Sequence, residues 1–342
     1  MTPTLKATVW QGRKALITGG AGFLGATLAH RLVGLGAEVT VVDSFLPEGG
    51  ANPFNLDGLP KRAALNESNA RFTLATGDIG DAKLMTPLIE GADAIFNLAG
   101  RTGHMDSMSD PMGDLAANVT AQVGLLELAR TRNPKARLVY ASTRQFYGVP
   151  DYLPVDEKHA LRPPDVNGVH KLAAEQHHLI YAKVHGLAAT ALRLTNCYGP
   201  RMRVKDARQT FVGIWIRRLL EDQPFEVWGG AQKRDFTFAD DVADAFIAAI
   251  DAPACVGSAY NLGGGGAISL DALAEALLVA NDGQGRFERK EFPADRKRID
   301  IGDYEADDRA FRAATGWTPR VDLVEGLRRS IAYYRANIAR YI

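Results

Sequence analysis

Cysteine is nearly absent: the chain has two in 342 residues, Cys197 and Cys255. They stand far apart and in no metal-ligand spacing, so both read as core or surface thiols. Charge of one sign is missing too. Forty Lys and Arg balance forty Asp and Glu, giving a formal net charge of zero. A surface built for nucleic acid or an anionic membrane needs a basic excess, so neither partner is expected. There is no apolar run long enough for a membrane span, and the opening residues show no signal-peptide core. The expectation is a cytoplasmic protein with a short polar lead into its first strand. Internal repeats and low-complexity tracts are absent. His170, His177, His178 and His185 share one predicted helix without a His-Glu-x-x-His pattern, so no metal site is expected.

What is present is an ordinary globular composition, 46% hydrophobic and 23% charged. The length allows two domains. Short apolar runs at Lys14 to Thr18, Val39 to Val42, Arg71 to Leu74, Ala94 to Leu98, Arg137 to Ala141 and Ala189 to Leu194 predict strands. Helical periodicity covers Gly22 to Leu35, Asp114 to Arg132 and Val166 to His185. Residues 44–62, rich in Gly, Pro and Asn, read as a long loop. This alternation predicts an α/β fold with a doubly wound parallel sheet. After about residue 195 the pattern loosens into a smaller second domain.

The strongest local motif is Thr18-Gly-Gly-Ala-Gly-Phe-Leu-Gly25. Gly19, Gly22 and Gly25 recur at three-residue spacing between a strand and a helix. Such glycines permit a tight turn and close approach of backbone to a pyrophosphate, which the helix N-terminus then attracts. Gly19, Gly22, Phe23, Leu24 and Gly25 are therefore candidate cofactor contacts. Asp43 closes the next strand roughly 20 residues on. Its carboxylate suits the ribose hydroxyls of NAD and would repel the 2′-phosphate of NADP. The sheet is accordingly expected to be of the Rossmann type, over residues 1–194 with a returning segment near 236–262. Residues 195–235 and 263–342 are left for the second, smaller α/β domain.

Further motifs follow in order: Gly77-Asp78-Ile79, Asn97-Leu98-Ala99-Gly100, Tyr140-Ala-Ser-Thr143 with Tyr147-Gly148, and Leu192-Arg-Leu-Thr-Asn196 with Tyr198-Gly-Pro200. Arg234-Asp-Phe-Thr-Phe-Ala-Asp-Asp241, Tyr260-Asn-Leu-Gly263 and Gly316-Trp-Thr-Pro319 complete the set. In this order the chain resembles, almost end to end, the extended short-chain dehydrogenase/reductase family of nucleotide-sugar epimerases and dehydratases. The resemblance implies that Asp78 and Ile79 flank the adenine and that Asn97, Leu98, Ala99 and Gly100 line the nicotinamide half. It implies that Asn118 supports the loops beneath the cofactor. Thr143 matches the family's catalytic Ser/Thr. Asn196, Arg234 and Arg298 are implied holders of a nucleotide diphosphate, which makes the second domain the nucleotide-sugar-binding one. Two helices per subunit, Asp114 to Arg132 and Val166 to His185, match those that pair in the family's dimers, so a homodimer is expected.

Two departures stand out. The family's catalytic Tyr-x-x-x-Lys pair becomes Asn167-x-x-x-Lys171. An asparagine can hydrogen-bond but cannot act as a general base. Another group then takes over, with His104 and His170 the candidates; or Lys171 itself is the base; or the site only binds. Continued catalysis is favoured, because Thr143, Lys171 and the phosphate-holding positions all remain. Secondly, Thr143 is followed by Arg144 and Gln145, where the family's dehydratases carry Asp-Glu and its decarboxylases a glutamate. Arg144 would place positive charge near the sugar. The expected function is an NAD-dependent nucleotide-sugar epimerase, 4-epimerase-like, acting on a UDP- or CDP-sugar through a transient ketone. The alternatives are a dehydratase or decarboxylase, or a non-catalytic NAD or nucleotide-sugar-binding protein.

Overall fold

The computed structural model describes residues 7–47, 49–60, 71–206 and 210–342. Residues 1–6 of the expected lead, and positions 48, 61 and 62 of the expected loop, lie outside them. Among the described residues twelve strands follow in chain order: β1 (Lys14–Thr18), β2 (Glu38–Asp43), β3 (Phe72–Thr76), β4 (Ala94–Asn97), β5 (Arg137–Thr143) and β6 (Ala188–Leu194). Then come β7 (Asn196–Tyr198), β8 (Phe225–Trp228), β9 (Lys233–Phe238), β10 (Ala259–Leu262), β11 (Ala267–Ser269) and β12 (Phe287–Lys290).

Seven of them form one parallel sheet in the order β3-β2-β1-β4-β5-β6-β10. The fold is the Rossmann-like α/β sheet that the strand–helix alternation predicts. Successive side chains of a strand go to opposite faces. Ile17, Phe96 and Val139 pack into one cluster with Leu28, Leu32 and Phe246. Leu16, Ile95 and Leu138 pack into another with Leu125 and Ile89. Both faces are therefore covered, and each such side chain contributes roughly 1.5–3 kcal/mol by leaving water. Helix Ala239–Asp251 packs against helix Phe23–Gly34 on the first face. A third cluster joins Trp215, Phe225, Phe238, Leu273, Leu277 and Leu327, around the small sheets β11-β9-β7 and β12-β8.

The chain runs outward from β1 to β3, then returns to place β4 on the other side of β1. That reversal opens a crevice beyond the carboxyl ends of β1 and β4, where α/β sheets bind ligands. Thr18, Asn97, Thr143 and Leu194 all end strands at this edge.

Two expectations need correction. The segment before β1 is more than a polar lead: Ala7–Trp10 is a helical turn. Trp10 is fully buried, its ring 6.0 Å from Phe96 and its indole N–H donating to Asp251 at 3.0 Å. The helix expected from Asp114 to Arg132 is also not uniform. Pro111–Leu115 and Ala121–Arg132 are separated by a wider π-helical turn, Ala116–Thr120. Such turns re-aim side chains and favour functional sites.

Candidate active site

A cleft of about 550 Å³ follows the carboxyl edge of the sheet, a size that suits a cofactor or small ligand. Its floor at one end is the glycine loop. Gly19 has φ +65° and lies so close to Ala99 that an added Cβ would stand 2.9 Å from its Cα. At Gly25 a Cβ would stand 2.4 Å from the Gly19 carbonyl oxygen. Helix Phe23–Gly34 starts at Gly22 with no side-chain cap. Its first N–H groups are thereby left for an anion. Asp43 accepts from the N–H groups of Ala21 at 3.0 Å and Phe45 at 3.1 Å. Burial pushes its carboxyl up, against the downward pull of these backbone donors. Asp78, Ile79, Leu98, Ala99 and Gly100 line the same end of the cleft. Asn118 does not line it. Buried in the π turn, it bonds both the N–H and the carbonyl of Arg101 at 3.1 Å, and so holds the loop that does. This uncapped, glycine-lined cradle fits a dinucleotide pyrophosphate.

Asn97, expected to line the cleft, instead lies buried beneath the cradle in a polar chain with Thr18 and Gln122. The Thr18 hydroxyl donates to Asn97 at 2.8 Å, and Asn97 donates to Gln122 at 2.6 Å. Gln122 in turn donates to the Ala99 carbonyl at 3.0 Å. Nε2 of His178 meets Asn97 at 3.2 Å, and its ring stacks on Tyr140 at 4.3 Å. Burial pushes His178 down to about 4, so it is a neutral core residue.

At the other end stand the side chains that sequence reading marks as catalytic. Thr143 ends β5, and its hydroxyl oxygen accepts the Gln145 N–H at 3.1 Å. The hydroxyl proton is thus left for a ligand. Helix Val166–His185 presents Asn167 and Lys171 one turn apart, both lining the cleft. The Lys171 ammonium donates to the Ala141 carbonyl at 3.1 Å and lies 4.9 Å over the Tyr140 ring. Burial pushes it down from the ordinary lysine value to about 8, with Asp114 pulling the other way. The Asn167 amide donates to the Arg101 carbonyl and to Asp114, both at 2.9 Å. With both protons engaged, Asn167 is a joint between the loop at Arg101 and the helix Pro111–Leu115.

His104 and His170 part company here. The His170 ring is mostly buried, its Nδ1 2.7 Å from Asp114, and it does not line the cleft. His104 lines the cleft. Its Nδ1 is buried 3.0 Å from Asp165, within ion-pair distance but without hydrogen-bond alignment.

Arg144 and Asn196 reach the cleft together, the guanidinium donating to the Asn196 carbonyl oxygen at 2.8 Å. Arg144 also lies 5.1 Å over the Tyr304 ring, and its Nη1 has no partner among the described residues. Burial pushes it down to about 10, and the charge of Arg234 adds to the shift. Arg234 and Arg298 do not line the cleft. Arg234 is buried and held by Asp300 at 2.5 Å and by the carbonyls of Gly302 and Lys233. Arg298 is exposed just past the short helix Ala294–Lys297.

Residues 15–263 match the family model of the NAD-dependent epimerase/dehydratase family. The chain belongs to that family. Among curated relatives it is 31% identical to a UDP-glucose 4-epimerase of Mycolicibacterium smegmatis, over 94% of this chain and 98% of the relative. It is 30% identical to a dTDP-glucose 4,6-dehydratase of an Actinoplanes species, over 95% and 98%. Among solved structures, a UDP-glucuronic acid 4-epimerase of Bacillus cereus, in complex with UDP-glucuronic acid and NAD, superposes with a TM-score of 0.81 at 25% identity, covering 94% of this chain and 99% of that one. This NAD-dependent epimerase/dehydratase family member is an enzyme with NAD as its cofactor. Among the described residues, no helix is long and apolar enough to cross a membrane.

The acidic partners Asp114 and Asp165 were missed from sequence. Asp165 carries one local signal, its place just before the helix that it caps by accepting the Gly168 N–H at 2.7 Å. Nothing local announces its contact with His104.

Proposed function

We propose that the protein is a nucleotide-sugar epimerase that works at C4 of a UDP- or CDP-sugar through a transient ketone. The observation that carries this reading is the pair after Thr143. Arg144 is tied to Asn196 and Gln145 to Asp165, so neither position offers the carboxylate that eliminates water or assists loss of carbon dioxide. Gly19, Gly22, Phe23, Leu24 and Gly25 would hold the pyrophosphate of NAD, and Asp43 the ribose hydroxyls. Asp78 and Ile79 would flank the adenine; Leu98, Ala99, Gly100 and Lys171 would surround the nicotinamide half, with Asn118 fixing the loop below. When bound, NAD supplies a hydride acceptor and donor that is regenerated within one turnover. The Thr143 hydroxyl donates to the sugar oxygen and fixes it for proton transfer.

Arg144 narrows the sugar. Its buried Nη1 awaits an acceptor, and a guanidinium matches a carboxylate in bidentate fashion. A uronate-bearing nucleotide sugar therefore suits this cleft, in line with the UDP-glucuronic acid bound by the Bacillus cereus structure. Exposed Val169, Ile180 and Val184 on helix Val166–His185 support a homodimer through that helix; light scattering giving a mass of 37 kDa would reject it.

The test is mass spectrometry of a nucleotide-sugar panel, uronates included, incubated with protein in heavy water. An isomer of unchanged mass without deuterium is the expected product. Deuterium in the isomer would move the chemistry to proton exchange beside the ketone. Loss of water or carbon dioxide would replace the epimerase reading with a dehydratase or decarboxylase. Binding without conversion would leave a sensor.

A further inference from the structure

Tyrosine is missing where the family's acid–base group is implied, and Asn167 has both amide protons engaged. The cleft must then hold another proton carrier. Lys171 is bound to the Ala141 carbonyl and buried against Tyr140. His170 is turned to Asp114 outside the cleft lining. His104 differs from both. Its Nδ1 is buried at 3.0 Å from Asp165, while its side chain as a whole is 39% exposed. The exposed edge is therefore the Nε2 edge, and His104 lines the cleft.

Asp165 has the features of an orienting carboxylate. Its side chain is fully buried. It accepts from the Gly168 N–H at 2.7 Å and from the Gln145 amide at 2.8 Å. Burial works to raise its pKa, but the His104 ring, Gly168 and Gln145 hold it below the ordinary carboxylate value. Gln145 also bonds the Thr143 hydroxyl oxygen through its own N–H. One hydrogen-bonded frame thus positions the threonine together with the carboxylate that faces the histidine.

We propose that His104 is the acid–base group of this site, with Asp165 as its positioning residue. The inference rests on the epimerase reading above. Asp165 keeps the ring proton on Nδ1, leaving the Nε2 lone pair facing the cleft. In the oxidative half, the sugar O–H bond breaks and an N–H bond forms on Nε2. The C–H hydrogen of the same carbon leaves with its electron pair to NAD, and a C=O bond forms. In the return half the hydride comes back to carbon and the Nε2 proton to oxygen, so electrons and protons balance. At 3.0 Å, Nδ1 already stands within hydrogen-bond reach of Asp165, and a small rotation of the ring supplies the alignment.

The test pairs NMR of the histidine ring nitrogens, in protein grown on 15N-histidine, with turnover. It uses the full chain, Asp165→Asn and His104→Ala. Asparagine caps a helix as well as aspartate does, so Asp165→Asn keeps helix Val166–His185 started. In the wild type, the His104 signals, assigned by their loss in His104→Ala, are expected to show Nδ1–H and bare Nε2. In Asp165→Asn that tautomer preference is lost and kcat falls about 10-fold or more, with NAD content unchanged. His104→Ala loses about 10²–10⁴-fold in kcat, and added imidazole restores part of it. An Nε2–H tautomer in the wild type overturns the dyad without reference to any sugar. His104→Ala turning over within about 3-fold of an active wild type overturns it while leaving the epimerase reading intact. A wild type that converts no sugar of the panel overturns both.

Discussion

The two ends of the cleft are built from different materials. The dinucleotide end is mostly backbone: three glycines, an uncapped helix start and one carboxylate at the end of β2. The sugar end is mostly side chains held by other side chains, several of them charged and buried. Backbone cradles depend on local geometry and tolerate few substitutions. Side-chain frames depend on residues far apart in sequence, and one substitution can be compensated by another. This explains how a site can keep its glycines and its Lys171 while carrying asparagine at the tyrosine position.

The largest expected effect strikes the frame of the sugar end. Glu175 is fully buried and accepts from Arg193 Nη2 at 2.6 Å and from the Ser142 hydroxyl at 2.6 Å. Arg193 donates further to the Tyr147 hydroxyl at 2.6 Å, which donates to Asn261 at 2.8 Å. The chain ties β5, β6 and β10 together just behind Thr143. Glu175→Ala leaves a buried guanidinium unpaired, which costs about 3–5 kcal/mol. Replacing both partners by methionine is expected to cost far less, because no charge is then left buried. Urea unfolding of Glu175→Ala and of the double methionine variant measures this; a Glu175→Ala loss below about 1 kcal/mol would show that the frame does not depend on the ion pair.

The next effect strikes the dinucleotide end. Gly25→Val pushes side-chain atoms into the Gly19 carbonyl and the Gly20 Cα, 2.4 and 2.7 Å from the new Cβ. Both obstacles are backbone, so the loop itself must open. NAD affinity is expected to fall about 100-fold, or about 2.7 kcal/mol. NAD released on denaturing the purified protein reads this directly; a full complement in Gly25→Val would mean that the cradle is not where the pyrophosphate sits.

The same contrast decides what could be read in the sequence. Gly19, Gly22, Gly25 and Asp43 were legible because their spacing states a local requirement of one strand–turn–helix unit. The parallel sheet was legible for the same reason, from apolar runs alternating with helical periods. Trp10 was not, because its reason to be helical and buried is Phe96 and Asp251, which lie far along the chain. Arg234 was marked through resemblance alone, and the structure gives its guanidinium to Asp300 and Gly302. Asn167 was legible as an anomaly; its use as a joint between Arg101 and Asp114 was not.

Lys171 sharpens the comparison at the smallest scale. It is an ammonium buried at the sugar end without a hydrogen-bonded carboxylate among the described residues, held by one backbone carbonyl and an aromatic face. Its folded pKa of about 8 lies below the ordinary 10.5. Below about pH 8 both folded and unfolded chains carry the proton, and the folded one bears the full cost of burying it. Between about 8 and 10.5 the unfolded chain binds a proton that the folded chain does not, so stability rises with pH across that window. Lys171→Met removes the buried charge and keeps the volume. The variant is expected to be more stable than the wild type by about 3 kcal/mol at pH 7, with the gap closing as pH rises through the window. Turnover is expected to be lost at the same time, the pattern of a group retained for chemistry at a cost in stability. Urea midpoints at pH 7 and pH 10 measure the gap. A variant less stable than the wild type at pH 7 would mean that the carbonyl and the ring hold the ammonium more strongly than burial opposes it, and that this end of the cleft is not strained.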